Sequence, residues 1–302
     1  MASSALKKRF RRIIGLCSLF SLLAAGPLLA QENMLWAVED GSGSRMFLYG
    51  SIHMATPDIY PLPPVVENAF DISSRLMVEA DVTNPDIAAT LMEVTMNGMY
   101  KAANEDLWQE IGPELSDGLK ACAAKSTLPD ELFARLKPWL AAVTLEAMRL
   151  KVLGFDENLG LDRHFLLKAK EKGMAVSEIE SMSEQMEIFT TMTPSESRQL
   201  LRATVLECDS GAAEIRNLID VWRNGDLSGF EKLYFQIYTE YPELAPLLDK
   251  VIFQRNDLMH GRLQPFLVPG QTTFAVIGAA HMVGSRGIPE LFRAQGMKVT
   301  RY

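Results

Sequence analysis

Two stretches of this sequence read alike: "RMFLYGSIHM", Arg45 to Met54, and "TTFAVIGAAHM", Thr272 to Met282, the glycine of the second lying 228 positions after that of the first. Each is a short apolar run ending at a glycine, with a histidine three residues later and a methionine after it. Runs of this length bounded by turn residues read as buried strands. The chain has four histidines in all, so two of them in matching contexts ask for a shared cause.

The segments downstream of the two runs also match. After the first come the turn "PLPP" (Pro61 to Pro64), the helically spaced "VVENAFDIS" (Val65 to Ser73) and a second strand, "RLMVEAD" (Arg75 to Asp81). After the second come "IPELFRAQG" (Ile288 to Gly296), a helix with proline near its start and glycine at its stop, and the strand "MKVTRY" (Met297 to Tyr302). The pattern predicts an α/β fold whose central sheet is built from two similar strand-helix-strand halves. Residues 31–302 form one domain, with a large, mainly helical insertion over about 86–265. Inside that insertion "LDRHFLLKAKEKG" reads as a helix ended by Gly173, and "MAVSEIES" as one more strand. No low-complexity linker divides the chain.

Residues 1–30 stand apart. Five basic residues between Lys7 and Arg12 precede a thirteen-residue apolar run, Ile13 to Ala25, with Pro27 just beyond it. This is the composition of a secretory signal peptide, and the run is too short for an ordinary membrane span. The expected location is therefore periplasmic or secreted, with no stable membrane span after cleavage. Losing five bases and no acids takes the formal net charge from −8 to −13, which argues against nucleic acid and anionic membrane surfaces as partners. Cys122 and Cys208 remain; the sequence leaves open whether they pair or stay as two buried thiols.

In open α/β sheets, functional groups collect beyond the carboxyl ends of the strands. His53 comes after "FLYG", Glu79 ends "RLMVE", Glu180 ends "AVSEIE" and His281 comes after "FAVIG". If these strands are parallel, two imidazoles and two carboxylates face one edge, a set suited to a divalent metal such as zinc, manganese or cobalt. Such an ion acidifies water and polarises a carbonyl, as hydrolysis requires. Met54 and Met282 fit core packing better than ligation. Asp162 reads as the cap of its helix, His164 and His260 as surface or capping residues, and Glu178 as a substitute for Glu180 on the same strand face. Arg255 and Asn256 form a polar pair able to hold an anionic group.

Over about Leu35 to Tyr302 the chain resembles the TraB/GumN family, which includes PrgY and, more distantly, the Tiki proteins. The resemblance rests on an ordered set: "LYGSIHM" with "YPLPP", "LMVEADV", "KPW", "GLDRHFL", "EIES" with Gln185 after it, "WRNGD", "RND" and "VIGAAHMVGSRGIPELFRAQGMKV". It implies an α/β core with paired G-x-x-H motifs and a metal-dependent hydrolase site, the related Tiki proteins being metal-dependent proteases. His53 and His281 match the motif histidines, Glu79 the glutamate after the second strand, and Arg255 with Asn256 the late polar pair. Glu180 matches a recurring glutamate to which the resemblance assigns no role.

The expected function is hydrolysis of a peptide or protein substrate. His53, His281 and Glu79 would bind the metal. Glu180 would complete the shell or act as general base, and Arg255 and Asn256 would hold the substrate or its oxyanion. The alternatives are a non-catalytic peptide-sequestering protein, a haem or metal carrier, or an envelope structural factor whose histidines only hydrogen-bond their loops.

Overall fold

A six-stranded mixed sheet carries the chain, in the spatial order β4-β3-β5-β2-β1-β6. Its strands are β1 (Leu35–Glu39), β2 (Arg45–Ser51), β3 (Arg75–Val78), β4 (Ala175–Glu178), β5 (Thr272–Gly278) and β6 (Lys298–Arg301). The computed structural model describes residues 32–302 apart from 126, 209 and 210; the expected signal segment lies outside the described residues.

β4, β3, β5 and β2 run parallel, while β1 is antiparallel to both β2 and β6. The four strand ends named above therefore open on one edge. β2 and β5 pair along their whole length, from Arg45 opposite Thr272 to Ser51 opposite Gly278, so the two glycine–histidine motifs lie side by side. Their apolar runs are buried without alternation, as central parallel strands covered on both faces must be. β1 is an addition to the expected strands. It joins β2 through a short turn in which Asp40 accepts from the Ser42 N–H at 2.8 Å, a local bond that stabilises the reversal.

The helices are α1 (Pro64–Asp71), α2 (Ile87–Asn97), α3 (Leu107–Lys125, broken at Gly112), α4 (Pro138–Val152), α5 (Leu161–Lys172), α6 (Met182–Thr190), α7 (Pro194–Glu207), α8 (Gly211–Arg223), α9 (Leu227–Glu240), α10 (Ala245–Leu248), α11 (Gln254–Leu263) and α12 (Ile288–Ala294). α1 joins β2 to β3 and α12 joins β5 to β6, as expected; α2 to α11, with β4 among them, fill the insertion. α6 and α7 each begin with a capping box, Ser181 with Glu184 and Thr193 with Glu196, which satisfies backbone donors at their starts.

The main core packs around the sheet, where Tyr49, Phe70, Phe165 and Phe274 form a buried ring cluster, Phe165 and Phe274 at 4.9 Å between centroids. A second core unites the helical lobe around Leu119, Phe133, Trp139, Leu145 and Leu201. Within it Cys122 of α3 and Cys208 at the end of α7 are joined in a disulfide, closing a separation of 86 residues. The question the sequence leaves open is thus answered by pairing. Among the described residues no helix is long and apolar enough to cross a membrane.

Candidate functional site at the carboxyl edge of the sheet

His53 leaves β2 on a loop fixed from three sides. The Gly50 N–H donates to Met34 O at 2.8 Å, Trp222 Nε1 donates to Gly50 O at 2.8 Å, and the Leu161 N–H donates to Ile52 O at 3.1 Å. The last bond brings the start of α5 against the loop so closely that a Cβ on Gly160 would lie 2.1 Å from His53 O. Glycine is the residue that permits this approach.

The same approach sets Asp162 under the His53 ring, with Oδ2 2.9 Å from Nδ1 and accepting from Ser51 Oγ at 3.1 Å. The expected capping role of Asp162 is not what the structure shows: Gly160 stands at the cap of α5 without a side-chain bond, and the carboxylate is 5% exposed and committed to His53. The motif "GLDRHFL" therefore supplies an imidazole partner. With Nδ1 bound to Asp162, Nε2 is the free end of the ring.

His281 sits in the short turn after β5, 4% exposed. Its Nδ1 lies 2.6 Å from Asn256 Oδ1, and Asn256 Nδ2 donates to Arg286 O at 2.8 Å. That second bond fixes which end of the amide is oxygen, so Nδ1 carries the His281 proton and Nε2 holds a lone pair. Asn256 is wholly buried and serves the imidazole, rather than opening toward a ligand.

Glu79 and Glu180 lie just past the ends of β3 and β4, and the Glu180 N–H donates to Glu79 O at 2.8 Å. Both carboxylates are buried. Arg255, on the first turn of α11 after a π-helical turn at Asp249–Phe253, donates Nη2 to Glu79 Oε2 at 2.6 Å and to Glu180 Oε2 at 2.7 Å. Gln185 Nε2 adds a bond to Glu79 Oε2 at 2.9 Å. Glu79 Oε1 accepts from the Gly278 N–H at 2.7 Å.

Gly278 is the point at which the pieces meet. A Cβ placed there would lie 3.2 Å from Glu79 Oε1, 3.4 Å from His53 Nε2 and 3.6 Å from His281 Cδ2. Two imidazoles and a carboxylate from three strand ends thus border one small space. His281 presents a carbon edge to it, and among the described residues no three His, Cys, Asp or Glu side chains already form a metal-holding group.

The electrostatics divide the two histidines. The Asp162 carboxylate draws the His53 pKa up, to about 9, against the opposing effect of burial; the side chain is 62% exposed, so water screens part of that pull. Burial pushes His281 down to about 4. Burial alone would raise Glu79, but the His281, His53 and Arg255 charges and the Gly278 N–H hold it at about 2. Because His281 is neutral above about 4 and His53 keeps its proton to about 9, the His53 imidazolium and the Arg255 guanidinium are the charges that stabilise the Glu79 anion at neutral pH. At neutral pH three carboxylates (Glu79, Asp162, Glu180) face the Arg255 guanidinium and the protonated His53, an excess of one negative charge, and a metal on His53 Nε2 would have to displace that proton.

Other expected residues fall elsewhere. Glu178 is exposed and accepts from the Asp81 N–H at 2.6 Å, so it does not stand in for Glu180. His260, expected as a surface or capping residue, is 8% exposed, its ring 4.5 Å from that of Phe292. His164 is half-buried between Tyr60 and Phe165, facing Glu67. Met282 packs in the main core, as expected. Gln185, which sequence reasoning placed only in a motif, joins the candidate site through its bond to Glu79; its place one turn into α6, beyond the strand that carries Glu180, is the signal that could have given it a role. Beside Arg255 and Glu180 a cleft of about 300 Å³ opens between α6 and α11.

The family model described as "TraB/PrgY/gumN family" matches residues 34–301. Two curated relatives, each called "Uncharacterized protein YbaP", come from Escherichia coli (strain K12) and Shigella flexneri; each is 26% identical over 279 residues, covering 88% of this chain and 99% of the relative. No solved structure gives a significant match.

Proposed function

The chain belongs to the TraB/PrgY/gumN family, and we propose that it is a periplasmic or secreted metal-dependent hydrolase acting on peptides. The observation that carries this reading is the meeting of His53 Nε2, Glu79 Oε1 and the His281 ring around Gly278. The donor types and the excess of carboxylates over cations fit a divalent ion of the manganese, cobalt or zinc kind, held by His53 with its Nε2 proton displaced, His281 and Glu79. Bound there, such an ion would lower the pKa of water and polarise a substrate carbonyl.

The protein's own groups do the rest. Asp162 and Asn256 take the Nδ1 protons, which leaves Nε2 as the ligand atom of each ring, the arrangement by which outer residues orient imidazole ligands; His53 Nε2 borders the space directly, and His281 Nε2 is the ring neighbour of the Cδ2 that borders it. Glu180, next to Glu79, is the base that accepts a proton from the attacking water. Arg255 steadies both glutamates and lies at the mouth of the cleft, where it can bind a substrate carbonyl or carboxylate. Asn256 acts through His281. The disulfide between Cys122 and Cys208 supports an oxidising compartment. The adjacency of β2 and β5, each continuing into a helix and a strand, supports reading the chain ends as halves of one duplicated unit.

The test is metal content of the purified chain beside a His53→Ala, His281→Ala double variant, each offered manganese, cobalt and zinc, and then a peptide-library cleavage screen. One equivalent of metal in the parent, none in the variant and cleavage by the parent alone are expected. Metal-independent behaviour of both would sink the hydrolase reading. A peptide-sequestering protein is the second reading, favoured by one observation: Arg255 already binds both glutamates, so each is engaged by a cation in this arrangement.

A further inference from the structure

The cleft beside Arg255 has a chemistry of its own. Its walls come from α6, α11 and the π-helical turn before α11, with Glu180 at one end, and most of their charges are already matched. Arg255 binds Glu79 and Glu180, Arg262 binds Glu184 at 2.7 Å, and Lys250 faces Glu196 at 3.6 Å. Glu187 is different: it is exposed on the cleft lining, and among the described residues its carboxylate makes no ion pair or hydrogen bond. Next to it on α6 is Ile188, and α11 contributes Leu258, a leucine 56% exposed on the lining. Water-facing leucine on a concave wall is covered at a gain of roughly 25 cal/mol per Å² when a ligand's apolar side chain lies on it, and a lone carboxylate beside it selects for positive charge.

We infer that this cleft recognises an extended peptide through an apolar side chain laid on Ile188 and Leu258 and a neighbouring cation placed at Glu187. The inference rests on the hydrolase reading for its substrate class, since Arg255 and Glu180 join the cleft to the Gly278 centre. It adds the sequence preference. The cation is a lysine or arginine side chain, or the amine of the peptide's own N-terminus.

Fluorescence anisotropy on the full chain tests it with four peptides labelled at the C-terminus and otherwise built of alanine and serine. Three are N-acetylated and carry Leu-Lys, Leu-Glu or Ser-Lys; the fourth has a free amine next to leucine and no lysine. Leu-Lys should bind at least about tenfold tighter than Leu-Glu or Ser-Lys. Glu187→Lys should invert the Leu-Lys over Leu-Glu preference, and Leu258→Ser should bring Leu-Lys down to the Ser-Lys level. If the free-amine peptide equals Leu-Lys, Glu187 accepts an N-terminal amine as well as the side chain; if it binds like Leu-Glu, only the side chain serves. Equal binding of all four, no binding, or a preference that survives Glu187→Lys overturns the inference. Product analysis of the same peptides with manganese, cobalt and zinc separates the two ideas. Selective binding without cleavage ends the hydrolase reading and leaves the groove standing, whereas cleavage without preference does the reverse.

Discussion

Arg255 Nη2 donates to Glu79 Oε2 at 2.6 Å, within a site where both partners are largely shielded from water. A guanidinium cannot lose its proton, so this contact places a permanent cation beside the carboxylate expected to hold a metal. The contact stabilises the fold and would compete with such an ion.

That double role gives the first prediction. Arg255→Gln leaves two buried carboxylates without their counter-charge, a change that typically costs about 3–5 kcal/mol, and denaturant unfolding in chelator should show it. The same variant should bind divalent metal more tightly by calorimetry, by about tenfold or more, because the competing charge is gone. A variant with unchanged stability and unchanged affinity would mean that the Arg255 contact carries neither effect.

The second prediction concerns acid. His281 is held neutral down to about 4 in the folded chain but takes a proton near the ordinary value of about 6.5 when unfolded. Between those values the unfolded chain binds the extra proton, so stability falls as pH drops from about 6.5 through about 4, by at most on the order of 3 kcal/mol. Glu79, held at about 2 against an ordinary 4.5, contributes stability above 4.5 that is lost as pH falls toward 2. His53, raised to about 9, works in the other direction: its contribution is complete below about 6.5 and fades as pH rises through 9. Unfolding in chelator should therefore be hardest near pH 6.5, and His281→Gln should flatten the limb between 6.5 and 4. A limb unchanged in the variant would assign the acid sensitivity elsewhere.

Asp162→Asn isolates the third. The neutral amide can still hydrogen-bond Nδ1 but no longer attracts the imidazolium, so the His53 pKa should drop from about 9 toward about 6.5. An NMR titration of the ring protons reads this directly. A His53 that titrates identically in both proteins would remove Asp162 from the site.

Much of this site is legible in the sequence because it sits at strand ends. The apolar runs before Gly50 and Gly278 mark two adjacent parallel strands, and the residues just beyond such strands face a common edge. Glu79 and Glu180 are found by the same rule. Asp162 is not, because "GLDRHF" is a good helix start by local chemistry; only the closeness of Gly160 to His53 O turns the carboxylate to the imidazole. Local preference loses there to a tertiary contact. The burial of His260 escapes for a related reason: its partner Phe292 lies on α12, 32 positions further along. β1 is hard to see because five residues ending in an acid carry little periodicity of their own, and the strand is specified by pairing on both sides. The disulfide depends on the packing of α3 against α7, which spacing cannot foretell.

Gly278→Ala is the most economical probe of the centre. The residue has φ −52° and ψ 136°, a conformation open to alanine, so the backbone is not the obstacle. The new methyl would stand 3.2 Å from Glu79 Oε1 and 3.4 Å from His53 Nε2, contacts that small side-chain shifts relieve while still filling the space between the two groups. The melting temperature in chelator should move by no more than about 4–8 °C, the effect of roughly 1 kcal/mol in a small domain and an upper bound for this longer chain. Metal retention and peptide cleavage should both be lost, although no proposed ligand has been altered. A Gly278→Ala protein that still holds one equivalent of metal would show that the ion is bound away from the point where the two motifs meet.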